Sequence, residues 1–176
     1  HVASSHSLRY GATLPELLVQ RSAELGQSIV ALTDRDGLYA AVRWVRECSR
    51  LGIRPVLGVD IAVEATQAAR VHPDVQARTP ARGGRWIDET RPRVLLLATG
   101  SRGWASLCRL VSAAHIGDHT ARGEPWVPWS ALREHSEGIV VILGADSEVG
   151  RYLADERATL AEAATRPWRA VFDRYL

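Results

Sequence analysis

His1, Asp34 and Asp60 are the side chains of this sequence best placed to hold a divalent cation, because imidazole and carboxylate groups offer lone pairs to metals. His1 opens His1-Val2-Ala3-Ser4. Asp34 closes Ala31-Leu32-Thr33-Asp34 and is followed by Arg35-Asp36-Gly37. Asp60 closes Gly58-Val59-Asp60. Polar residues at the ends of successive apolar runs are how an α/β sheet assembles a site. A metal there would turn bound water into hydroxide and neutralise phosphoryl oxygens, which is the chemistry of phosphoester hydrolysis. The neighbouring positions oppose that reading. Ala3 offers no donor atom, and Arg35 puts a fixed cation where a metal would sit, since arginine neither deprotonates nor donates a lone pair. Three ligands also fall short of a centre with several donors per ion.

The elements that must position these residues alternate. Thr13-Leu14-Pro15-Glu16 reads as a capping box with proline in the first turn, predicting a helix to about Gly26. Ser28 to Thr33 is a buried strand. Asp36 reads as the cap of a second helix whose inward face is Leu38, Val42, Val45, Cys48 and Leu51, closed by Gly52. Pro55 to Val63, Arg93 to Ala98 and Gly138 to Gly144 are further strands. A helix with Trp104, Leu107, Cys108, Val111 and Ala114 inward follows Gly100-Ser101, a short helix covers Ser130 to His135, and a long helical segment follows Asp146-Ser147. Such alternation predicts parallel strands joined by right-handed crossovers. From about 65 to 92 the pattern gives way to Ala, Thr, Gln, Arg, Gly and Pro, expected as a surface hairpin with a mobile tip. A second irregular stretch spans His115 to Pro128. No closing strand precedes Leu176, so the sequence is expected to be an incomplete barrel in one domain, 1–176.

Composition narrows the classes. The 176 residues, 46% hydrophobic and 24% charged, suit one globular core. A net charge of +2 excludes a strongly basic nucleic-acid module. Every basic residue is arginine, and methionine is absent, so the natural start is expected to lie outside the sequence. No CxxC pair occurs, and Cys48 and Cys108 read as buried thiols. No leader, lipidation motif or apolar run long enough for a bilayer is present, which suggests a cytoplasmic protein without a membrane partner.

In that order of elements, His1-Val2-Ala3-Ser4, Ser7-Leu8, Gly11-Ala12, Pro15-Glu16-Leu17, Ala31-Leu32-Thr33-Asp34 and Gly52 to Asp60 form a recognisable series. Leu95-Leu96-Leu97-Ala98, Leu110 to Ala114 and His135-Ser136-Glu137-Gly138 continue it. Together they resemble the N-terminal PHP (polymerase and histidinol phosphatase) domain of bacterial C-family DNA polymerases, the alpha subunits of DNA polymerase III and their error-prone relatives. The resemblance implies an α/β fold, the N-terminal part of a distorted (β/α)7 PHP barrel with mostly parallel strands and outer helices. It also implies a metal site at the strand ends, which serves as a phosphoesterase or proofreading exonuclease in some members, while in others the domain is structural.

Set against the family's motifs, the site is depleted. His-x-His-Ser stands as His1-Val2-Ala3-Ser4, Asp-Gly as Tyr10-Gly11, and Thr-Asp-His as Thr33-Asp34-Arg35. Gly-x-Glu is Gly58-Val59-Asp60, and the histidine leading into Leu-x-Leu-Leu-Ala aligns with Arg93. His1, Asp34 and Asp60 are then vestigial metal candidates, and Arg35 and Arg93 replace the site or bind phosphate. An ion-pair network in place of metal is expected. His6 is a weak substitute for the missing histidine, and His72, His115, His119 and His135 read as surface or turn residues. Arg78, Arg82, Arg85, Arg91 and Arg93 form a basic stretch read as a solvated loop. Trp126 and Trp129 read as packing groups before base-stacking ones.

These readings lead to a structural, non-catalytic PHP domain of a replication or repair polymerase, without a cofactor. Its expected partners are the remainder of the polymerase chain, DNA through that parent, and a proofreading subunit. The alternatives are an active phosphoesterase or 3′–5′ exonuclease using Zn, Mn or Mg, and a free-standing PHP protein that holds a phosphorylated ligand with Arg35 and Arg93.

Overall fold

Short apolar runs punctuated by Gly, Pro and charged residues form one sheet with helices against it. The computed structural model describes residues 2–66, 78–80, 86–88, 91–117 and 124–173. Helix α1 (Pro15–Glu24) precedes β1 (Ile29–Arg35), and α2 (Ala41–Leu51) leads to β2 (Arg54–Val63). The hairpin strands β3 (Arg78–Pro80) and β4 (Trp86–Asp88) are followed by β5 (Arg93–Ala98) and α3 (Gly100–Ile116). Then come β6 (Trp126–Val127), α4 (Trp129–Glu134), β7 (Ile139–Ile142), α5 (Glu148–Ala154) and α6 (Ala158–Phe172).

The main sheet runs β1-β2-β5-β7, with β6 pairing the far end of β2. β1 and β6 are parallel to β2, whereas β5 is antiparallel to both β2 and β7. The sheet is therefore mostly parallel, and β5 alone runs against it. The expected mostly parallel sheet is thus present, and the reversal of β5 is the one direction that the alternation of elements did not specify. Among the described residues, the β3–β4 hairpin stands between β2 and β5 where a crossover helix was needed. Chain returning to the same end of a sheet must run antiparallel, and the Val63 amide accordingly donates to the Pro92 carbonyl at 2.9 Å. The expected mobile tip of this excursion lies outside the described residues.

Register sets the faces. Val59, Ile61 and Val63 of β2 join Val94 and Leu96 of β5, Leu107 and Leu110 of α3, and Ile139 of β7 in the larger core. Val19, Val30, Leu32, Trp44 and Cys48 form a second core beneath α1 and α2. The even-numbered residues of β2, Asp60 among them, therefore face the other side. Burial pushes the Cys48 thiol up to about 11, with the Glu47 carboxylate adding to it, so Cys48 is an inert core group.

Several local expectations are corrected. Leu14, not Thr13, is the N-cap of α1, and no side chain caps it. The Thr13 carbonyl is taken by the Ser5 amide, and Pro15 at N1 fixes the start. Glu16 pairs with Arg43 at 2.6 Å instead of reaching back. Asp36 does not cap α2, which begins at Ala41 after N-cap Ala40. Ala41, Trp44 and Cys48 face inward, whereas Val42, expected on the inward face, is 71% exposed. The long C-terminal helix is two helices, broken at Glu156 (φ 59°). Ser147 caps the first by accepting from the Gly150 amide at 3.0 Å. No described helix is long and apolar enough to cross a membrane.

Helix α5 holds both ends of the excursion. The buried Glu148 carboxylate accepts from the Thr66 amide at 2.7 Å and from its hydroxyl at 3.3 Å. Arg151 Nη2 donates to the Arg91 carbonyl at 3.0 Å. Burial raises the Glu148 pKa, more than the Thr66 bonds and nearby Arg151 lower it. A carboxyl with a raised folded pKa binds its proton more tightly folded than unfolded. Its contribution to stability is therefore fully present below the unfolded value of about 4.3 and declines as pH rises through the folded value. Urea midpoints measured across that window should fall in the wild type relative to Glu148→Gln as pH rises.

Candidate functional site

The site lies where β1, β2 and β7 end and β5 begins. Arg35 is opposite Asp60 in the β1–β2 register, and Arg93 is opposite Ala62 in the β2–β5 register, so all three belong to one face. Asp34 is opposite Val59 and belongs to the other face. The candidate ligands Asp34 and Asp60 are thus split across the sheet, and His1 lies outside the described residues.

Asp34 is 1% exposed, and both of its oxygens are occupied. Oδ1 accepts from the Ser4 amide at 2.6 Å and the Ser7 hydroxyl at 2.7 Å, and Oδ2 accepts from the Ser4 hydroxyl at 2.8 Å. Ser7 Oγ in turn accepts from the Arg35 amide at 2.8 Å. Asp34 therefore fastens the N-terminal loop to the end of β1. Gly11 makes the loop's return possible, because a Cβ there would lie only 2.0 Å from the Ser4 carbonyl oxygen.

On the opposite face Arg93, itself 9% exposed, closes a network of fixed charges. Its Nε donates to Asp60 Oδ1 at 2.8 Å, and its Nη2 donates to Asp36 Oδ1 at 2.7 Å and to the Asp60 carbonyl at 2.8 Å. Burial opposes the guanidinium's charge, but Asp36 and Asp60 outweigh it and hold the Arg93 pKa above the ordinary arginine value. The Asp60 carbonyl also accepts from the Asp36 amide at 2.8 Å, and the Arg93 amide donates to the Asp146 carbonyl at 3.0 Å. Asp36 has φ 58°, a left-handed turn that aspartate tolerates. His115, at the end of α3, places Nε2 2.6 Å from the Asp36 carbonyl oxygen. Arg35 stacks on Tyr10, with Cζ 4.0 Å from the ring centroid, and lies 3.8 Å from Asp36 Oδ2.

This donor set does not fit the divalent metal that the strand-end position suggests. Both Asp34 oxygens accept from hydroxyl and amide donors, and Asp60 and Asp36 converge on a tethered guanidinium. Among the described residues no three His, Cys, Asp or Glu side chains group as a metal centre. Of the other weighed residues, the His6 amide donates to Ser4 Oγ at 3.2 Å, Trp129 packs in the core against Trp168, and Trp126 is covered by Arg91 at 4.2 Å. His72 and His119 lie outside the described residues.

Residues 1–176 match the PHP domain as a whole. The chain belongs to the PHP domain family. The PHP chain is 36% identical over 138 residues to an error-prone DNA polymerase of Mycobacterium tuberculosis, covering 78% of this chain and 11% of the relative. It is 34% identical over 174 residues to an error-prone DNA polymerase of an Anaeromyxobacter species, covering 93% and 14%. With DNA polymerase III subunit alpha of Caulobacter vibrioides it shares 30% over 176 residues, 99% of this chain and 14% of that one. The chain thus spans about an eighth of the length of these relatives. An amidohydrolase from Chromobacterium violaceum superposes with a TM-score of 0.43 at 17% identity, over 99% of this chain and 53% of that one.

Two residues of the network escaped the sequence reading. Asp36 was expected to be a helix cap and His115 a surface or turn residue. A signal for Asp36 was present in Arg93 itself: an arginine opening an otherwise apolar strand must find a carboxylate at a neighbouring strand end. Nothing in the sequence pointed to His115, whose contact depends on where α3 stops.

The network's energetics are directly measurable. Arg93→Met leaves Asp60 and Asp36 without their cation and should cost about 3 kcal/mol by urea unfolding. Adding Asp60→Asn should return a large part of that loss. Independent, additive effects would show that the pair is not coupled.

Proposed function

We propose that this chain is the PHP domain of a DNA polymerase of the DNA polymerase III alpha or error-prone type, and that it serves the enzyme as a structural domain. The observation that carries the polymerase assignment is the 30–36% identity spread over 78–99% of the chain to proteins named as such polymerases. On this reading DNA synthesis belongs to the remainder of a longer chain, DNA is met through that parent, and a proofreading subunit is a candidate neighbour in the cytoplasm.

The structural role is supported by the chemistry of the strand ends. Hydrolysis of a phosphoester by a metal-activated water needs open coordination positions and oxygens or nitrogens free to fill the rest. Here Arg93 occupies the space between Asp36 and Asp60, and Asp34 holds the N-terminal loop. In place of an exchangeable ion the strand ends carry a permanent cation. Phosphate capture by Arg93 is opposed by the same geometry, since its Nε and Nη2 are committed to carboxylate and carbonyl oxygens.

The test is metal content of protein purified without chelator, followed by Mn²⁺ and Zn²⁺ titration during hydrolysis of a simple phosphodiester. Substoichiometric metal and no turnover above the buffer rate are expected. Near-stoichiometric metal with turnover abolished by Asp60→Ala would overturn the structural reading and restore the phosphoesterase or exonuclease.

A further inference from the structure

Among the described residues, α2 and α3 stand apart in the helical layer. Helix α2 follows β1 and α3 follows β5, but the described segment between β2 and β5 is a hairpin rather than a helix. Helices packed side by side in such a layer lie about 8–10 Å apart and bury their facing side chains. Here α2 packs on α1 and α3 packs on α4 and the sheet, while α2 and α3 make no substantial contact with each other. Between them runs an open groove of about 440 Å³, floored by Leu57 of β2 and walled by Ala41, Val42 and Val45 on one side and Trp104 on the other. Its lining is almost wholly apolar, and Val42 stands 71% exposed on its rim.

One charge marks the groove. Arg46 borders it, is exposed, and among the described residues pairs with no carboxylate, whereas Arg43 and Arg50 on the same helix are paired with Glu16 and Glu47. An apolar floor beside one uncommitted cation is complementary to an amphipathic segment bearing a carboxylate. The groove is too open to enclose a small molecule, which a binding cavity ordinarily surrounds over most of its surface. On α2 its lining runs from Ala41 to Arg46, a rise of about 8 Å that suits the contact face of a short helix.

We propose that the α2–α3 groove is a docking site for an acidic amphipathic helix of a protein partner. Its apolar residues, spaced i, i+3, i+4 and i+7, would cover Val42, Val45, Leu57 and Trp104 while a glutamate or aspartate meets Arg46. The bound helix would fill the space between α2 and α3. This inference rests on the fold and is independent of the polymerase assignment.

The experiment uses the whole chain and two synthetic helical peptides. Both carry leucine at i, i+3, i+4 and i+7; one has glutamate and the other lysine at the flanking positions. Titration followed by ¹H–¹⁵N NMR should move the α2, β2 and α3 amides that line the groove with the glutamate peptide. Val42→Glu, an exposed position whose change leaves the core intact, should weaken that binding about tenfold. Arg46→Glu should shift the preference to the lysine peptide. Shifts scattered over the surface, equal binding of both peptides to the wild type, or binding unaffected by Val42→Glu would overturn the proposal. So would a dimer of the chain alone in sedimentation that Val42→Glu dissolves, because the occupant would then be a second copy.

Discussion

The strand ends of this protein depend on one guanidinium. Arg93 enters from the one antiparallel strand of the main sheet and bonds the end of β2 through Asp60 and the turn after β1 through Asp36. The same residue's amide is tied to the turn after β7 through the Asp146 carbonyl. Carboxylates gathered at strand ends repel one another unless a cation sits among them. A bound metal would meet that need with an exchangeable ion, whereas a tethered arginine meets it permanently and in fixed geometry.

That arrangement follows from topology. A parallel β5 would bring its C-terminal end to this edge, and Arg93 would lie at the far end of the sheet. Because the chain comes back through a hairpin, the first residue of β5 arrives beside the last residues of β2. On the other face, α2 and α3 stand apart and the groove between them is open over Leu57 of β2. Helix α5 fixes the two ends of the β2–β5 connection through Glu148 and Arg151.

Strands β1, β2, β5 and β7 were legible in the sequence because apolar runs such as Arg93 to Ala98 are bounded by turn residues, and Gly52 marked the end of α2 as a left-handed cap. The mostly parallel sheet and a hairpin in the excursion were legible, but the reversal of β5 was not, since an apolar run bounded by turn residues reads the same in either direction. Helix starts were misread at Thr13 and Asp36, for different reasons: Leu14 takes the N-cap position before Pro15, and the Asp36 carboxylate is engaged by Arg93. At the site, Arg35, Asp60 and Arg93 share one face of the sheet, as adjacent strand ends suggest. Asp34 does not, because side chains alternate along a strand and β1 pairs it with Val59.

The most direct measurement of whether Arg93 stands in for a metal is thermal unfolding of the wild-type chain in chelator and in excess Mn²⁺. A ligand that binds only the folded state stabilises it by about 2.7 kcal/mol at a hundred times its dissociation constant. With the cation already built in, the two midpoints should coincide. A midpoint that climbs steadily with Mn²⁺ would mean that the strand ends still hold a metal, and that Arg93 does not replace it.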